Sequence, residues 1–140
     1  DVKKLSFVKS NNCLKWYTEF TDAPPNGNFQ ISEIIEDIES EWRSFIYNGK
    51  LVGLNNYSGR FDLFPNVELI NEMIDKFLSN KNNPKNFTLD VGISEKLGTF
   101  VIEVHNFYSC GLYGFAEHKF IPFMFKRSFD YLKLIYGKST

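Results

Sequence analysis

Two acids and a histidine carry the clearest chemical signal in the sequence: Asp90, Glu103 thirteen positions later, and His105 two beyond that. Carboxylates held at neighbouring positions repel each other, and a divalent cation with oxygen ligands relieves that repulsion. The flanking residues indicate how the acids are held. Residues 89–94 and 100–107 alternate apolar and polar types with period two, the pattern of strands with one solvated face. The link at 95–98 is short and ends in Gly98, which suits an antiparallel hairpin. Asp90 and Glu103 are therefore expected side by side, with His105 on the same face. The same spacing also fits a plain solvated face carrying two ordinary acids.

Three cations offer further chemistry. Residues 5–9 and 14–20 read as a hairpin with Lys9 and Lys15 near its turn, and two surface lysines would satisfy that pattern. Arg43 shares a strand face with Glu41 in the run 41–47. It is open to two readings, an ion pair with Glu41 within the sheet or a fork for a phosphate or carboxylate. Cys13 and Cys110 lack metal-ligand spacing and are read as free thiols, Cys110 as structural rather than nucleophilic. The terminal residues 137–140 imitate the end of a phosphate-binding loop. Leu132 stands where that loop needs its first glycine, and no helix follows, so the match is rejected.

The elements that must position these residues follow from local signals. Residues 21–28, with Pro24, Pro25 and Gly27, form a loop, and 29–35 is a strand candidate broken by the acidic run 36–41, read as a solvated connection. Asn48-Gly49 is a tight turn joining strands 41–47 and 50–57. From 66 to 80, Leu69, Ile70, Met73, Ile74, Phe77 and Leu78 form one helical stripe behind an Asn66 cap. Residues 120–136 form a terminal helix expected to cover the sheet, with Pro122 tolerated in its first turn. The fold class expected is α+β, a mostly antiparallel sheet with two main helices.

The whole chain, 140 residues and 16.3 kDa, suits a single domain with a core of its own. Sixteen basic and 17 acidic residues give a net charge of −1, which gives no support for a nucleic-acid or anionic-membrane partner. No apolar run reaches the length of a membrane span, and no signal segment opens the sequence, so a cytoplasmic location is expected.

Asp90 followed by Glu103 and His105 resembles the metal-binding signature of the ATP-grasp superfamily, which reads Asp and then Glu-x-Asn. Other segments fall in matching order: Lys9 in 7–9, Lys15 in 14–18, Glu41-Trp42-Arg43, and Gly111 to Gly114 behind the metal strand. The set is similar to the small bacterial and phage clade named for one arginine and two lysines, over residues 6–114. That resemblance implies the nucleotide-binding C-terminal lobe of an ATP-dependent carboxylate–amine ligase, with the acid and amine substrates unidentified. It implies that Lys9, Lys15 and Arg43 offset phosphate charge, and that Glu33, Ile34, Ile35 and Glu41 meet the adenine and ribose. Asp90, Glu103 and His105 are implied to hold Mg²⁺. His105 departs from the family's asparagine, which leaves open a weaker second metal position, better tolerance of Mn²⁺, or nucleotide binding without turnover. Little sequence precedes 7, so a missing N-terminal substrate lobe or a partner chain is expected. A non-catalytic interaction module, binding a protein or glycan, is the alternative from another class.

Overall fold

The computed structural model describes residues 35–107 and 110–137, which lie in one compact unit, Ile35–Thr140. Its elements are β1 (Ile38–Tyr47), β2 (Lys50–Gly59), α1 (Val67–Leu78), β3 (Phe87–Ser94), β4 (Gly98–Asn106) and α2 (Ile121–Tyr136). The four strands form one sheet in the order β2-β1-β3-β4, antiparallel at every pairing. An α+β fold with an antiparallel sheet and two helices is thus present as expected. Among the described residues no helix is long and apolar enough to cross a membrane. The strand candidates before 35 and the loop at 21–28 lie outside the described residues.

The β1–β2 turn forms at Asn48-Gly49, with φ of 49° and 77°. Consecutive left-handed residues match the twist of the flanking strands, and Asn-Gly is the pair that tolerates them best. The acidic run at 36–41 is only partly a connection, because β1 already begins at Ile38. Ser40 explains the difference. Its buried hydroxyl donates to the Arg60 carbonyl at 2.6 Å and accepts from Trp42 Nε1 and Asn56 Nδ2, which ties the acidic segment into the sheet.

Each face of the sheet carries its own core. On one, Trp42 and Ile46 of β1 and Phe87, Leu89, Val91 and Ile93 of β3 pack with Ile70 and Ile74 of α1. Asn66 caps that helix, its side chain accepting from the Leu69 amide at 2.9 Å. On the other face, Phe45, Phe107, Phe115 and Met124 form a second cluster, with Phe45 and Phe115 stacked at 4.1 Å. Gly53, opposite Phe45 in β2, makes room for this stack, since a Cβ there would lie 2.3 Å from the Phe115 ring. Helix α2 covers less of the sheet than expected. Met124 and Ser128 are its buried residues, while Phe123, Phe129, Leu134 and Ile135 are exposed.

Candidate functional site

Strand register assembles the site as a row across the sheet: Asn55 lies opposite Arg43, Arg43 opposite Asp90, and Asp90 opposite Glu103. Directly opposed residues share a face, with their Cβ atoms about 4.5–5.5 Å apart. One irregularity makes the row possible. The pairing shifts between Asp90 and Val91, leaving Ile102 as an extra residue on β4. Without that bulge Ile102 and Val104 would take the places that Glu103 and His105 occupy beside Asp90 and Thr88.

Arg43 and Asp90 form a buried fork. Nε donates to Oδ1 at 2.8 Å and Nη2 to Oδ2 at 2.6 Å, with Arg43 4% and Asp90 1% exposed. The remaining nitrogen, Nη1, donates to the Gly111 carbonyl at 3.0 Å. Hydrogen bonding to Asp90 holds the Arg43 pKa above its ordinary value, against the desolvation that would lower it. Glu41, the in-sheet partner in one of the two readings of Arg43, is not the partner observed. Glu41 lies two residues along the same strand, roughly 6.6 Å away at the usual rise, whereas Asp90 is directly opposite. A second bulge leaves Tyr57 as the extra residue on β2, and its hydroxyl donates to Glu41 Oε2 at 2.8 Å. Burial first, and that bond second, push the Tyr57 pKa upward.

Glu103 and His105 form the open end of the row. His105 Nε2 lies 2.7 Å from Glu103 Oε1, and the His105 and Glu103 side chains are 34% and 50% exposed. One donor atom each from Asp90, Glu103 and His105 fall within 4.8 Å of one another. The donor chemistry fits a divalent cation. A carboxylate offers about four lone-pair sites, so the Arg43 fork leaves Asp90 able to accept further. Ile35 stands just before β1 and is partly exposed. Lys9, Lys15, Glu33 and Ile34 lie outside the described residues.

Tyr57, Tyr113 and Asn55 belong to the site although no sequence signal marked them. Tyr113 has a left-handed backbone, φ 45°, unusual for an aromatic residue. Three contacts hold it there. Asn55 Nδ2 donates to its carbonyl at 3.1 Å, its ring stacks on Tyr57 at 4.8 Å, and the Arg43 guanidinium lies 4.7 Å from its ring centre. The glycines at 111 and 114 mark a loop, but the tyrosine between them is set by packing against a strand more than fifty residues earlier. Cys110 is a free thiol as expected, donating to the Phe107 carbonyl at 3.1 Å. Burial raises its pKa, which keeps it protonated and a poor nucleophile.

Residues 8–123 match the model of an ATP-grasp domain, family 2 of the clade named for one arginine and two lysines. A search of curated proteins finds no match. Among solved structures, that of Cdc123 from Schizosaccharomyces pombe is similar, at 15% identity and a TM-score of 0.34, over 73% of this chain and 44% of that one. The chain therefore spans less than half the length of that protein. A family match over most of the sequence places it firmly: the chain belongs to the ATP-grasp superfamily, in family 2 of its one-arginine, two-lysine clade.

Proposed function

We propose that this domain is the nucleotide-binding part of an ATP- and divalent-metal-dependent carboxylate–amine ligase. The observation that carries the reading is the opposition of Asp90 and Glu103, with His105 beside them, on a face whose arginine is committed to Asp90. In that reaction a carboxylate oxygen attacks the terminal phosphorus of ATP and ADP leaves. An amine nitrogen then attacks the acyl carbon, phosphate leaves, and the nitrogen loses a proton to give the amide.

Such chemistry needs positioning and charge neutralisation more than a nucleophile from the protein. Asp90, Glu103 and His105 would hold the cation, which when bound neutralises charge on the phosphates. Arg43 fixes the orientation of Asp90 through its two parallel bonds, a geometry that a lysine could not reproduce. Lys9 and Lys15 serve the phosphates, and Glu33, Ile34, Ile35 and Glu41 serve the base and ribose. In this reading Tyr57 keeps Glu41 oriented through its 2.8 Å bond.

Thermal unfolding in the presence of ATP tests the proposal. A ligand that binds the folded chain alone stabilises it by about 2.7 kcal/mol at a hundred times Kd. A metal-dependent rise in Tm is expected. No shift at millimolar ATP with either Mg²⁺ or Mn²⁺ overturns the reading.

A further inference from the structure

We propose that the end of the sheet at the Asn48-Gly49 turn, with the loop at 79–86 and the adjoining side of α2, is a docking cleft for an acidic peptide segment of a partner protein. Binding there does not depend on the nucleotide-site reading.

The cleft is built before any ligand arrives. A hollow of about 580 Å³ lies between the turn and the loop, and hollows of about 460 and 280 Å³ continue from the loop to α2, with Lys85 lining all three. Hydrogen bonds fix the walls. The Asn48 amide donates to Asn86 Oδ1 and the Gly49 amide to the Lys85 carbonyl, each at 2.8 Å, and Asn83 Nδ2 donates to the Phe77 carbonyl at 2.7 Å. The Tyr131 hydroxyl donates to the Asn82 carbonyl at 3.0 Å, which ties α2 to the loop. Walls already fixed need little further ordering when a ligand binds.

Charge sets the sign of the ligand. Lys50, Lys81, Lys85 and Arg127 line the cleft and are exposed, and among the described residues none of them forms an ion pair. Asp130 is the acid of the lining, and Lys126 holds it at 3.0 Å. That bond first, with the charges of Lys133 and Arg127 adding to it, keeps the Asp130 pKa below its ordinary value. Unpaired cations facing a compensated acid leave a positive surface on a chain whose net charge is −1.

The walls favour a peptide over nucleic acid. Arg127, Tyr131 and Leu134 lie on one stripe of α2, and Leu134 and the adjacent Ile135 are 66% and 45% exposed at the cleft. Aliphatic side chains beside cations match a segment that carries apolar residues among acids. Single-stranded nucleic acid needs aromatic faces for its bases, and Tyr131 is partly buried with its hydroxyl already committed.

Fluorescence anisotropy of a labelled peptide, glutamates flanking a pair of leucines, titrated with the whole chain tests the proposal. Saturable binding is expected, weakening as salt is raised. The same peptide with glutamine for every glutamate is expected to bind at least about tenfold more weakly, as is the glutamate peptide to the double variant Lys81→Glu with Lys85→Glu. Arg127→Glu reverses a charge on a different element, with at least about threefold weakening expected. These side chains are exposed, and circular dichroism checks that each variant folds. No saturable binding, equal binding of the two peptides, or undiminished binding by both variants overturns the proposal. Tighter binding of a single-stranded oligonucleotide than of the glutamate peptide overturns it in favour of nucleic acid.

Discussion

On one face of the sheet Trp42, Ile46, Leu89 and Val91 pack against Ile70 and Ile74; on the other, one residue along the same strands, stand Arg43 and Asp90. Strand alternation alone separates a dry core from a polar row. The energetic roles of core and row differ accordingly. Burying apolar side chains stabilises the fold, whereas burying an ion pair roughly offsets its own desolvation. The apolar clusters on both faces therefore supply stability, that of the second face around Phe45 and Phe115, and the polar row beside it holds a carboxylate in one orientation at little net gain. Helix α1 is packed against the first face, and at one end of the charged row on the other the Glu103 and His105 side chains are partly exposed.

The largest expected effect breaks the fork. Arg43→Met leaves the Asp90 carboxylate buried without a partner and should cost about 3–5 kcal/mol in urea unfolding. The double change Arg43→Met with Asp90→Leu should recover most of that loss while abolishing metal binding, because apolar replacements of both partners leave no orphaned charge. A loss below about 1 kcal/mol for the single change would mean that the carboxylate is solvated rather than buried.

The opposite face gives the sharpening experiment. Ile74, 2% exposed, belongs to the dry core alone, so Ile74→Ala should cost about 2–5 kcal/mol and leave ATP and metal affinities as they were. Affinities that fall in step with stability would show that the faces are coupled. A smaller effect is expected from Asn66→Ala, which removes the cap bond to the Leu69 amide and should cost about 1 kcal/mol by the same urea measurement.

Local chemistry was readable in the sequence where the physics is local. The Asn48-Gly49 turn, the Asn66 cap and the β3–β4 hairpin all depend on residues close in the chain. Arg43 was visible as a candidate, but its partner was not: Asp90 lies 47 positions away, and β1–β3 pairing has no local signature, so Glu41 and an external phosphate or carboxylate stood as the two alternatives. The start of β1 at Ile38 was hidden for a similar reason. Acids suggest a solvated connection, and the bonds that make Ser40 a strand residue come from Arg60 and Asn56 on another segment. Bulges at Tyr57 and Ile102 set which side chains reach the site, and a single extra residue leaves no pattern of its own.

The contrast between the faces is smallest in stability and greatest in function at Glu103. Its side chain is half exposed, so Glu103→Gln should change unfolding free energy by no more than about 0.5 kcal/mol. The same substitution removes the one carboxylate in the Asp90, Glu103 and His105 set that no arginine compensates. ATP affinity of both proteins, measured by calorimetry with and without divalent metal, is the decisive comparison. The account predicts metal-promoted ATP binding in the unaltered protein and its loss in Glu103→Gln with the fold intact; equal metal-promoted binding in both would contradict it.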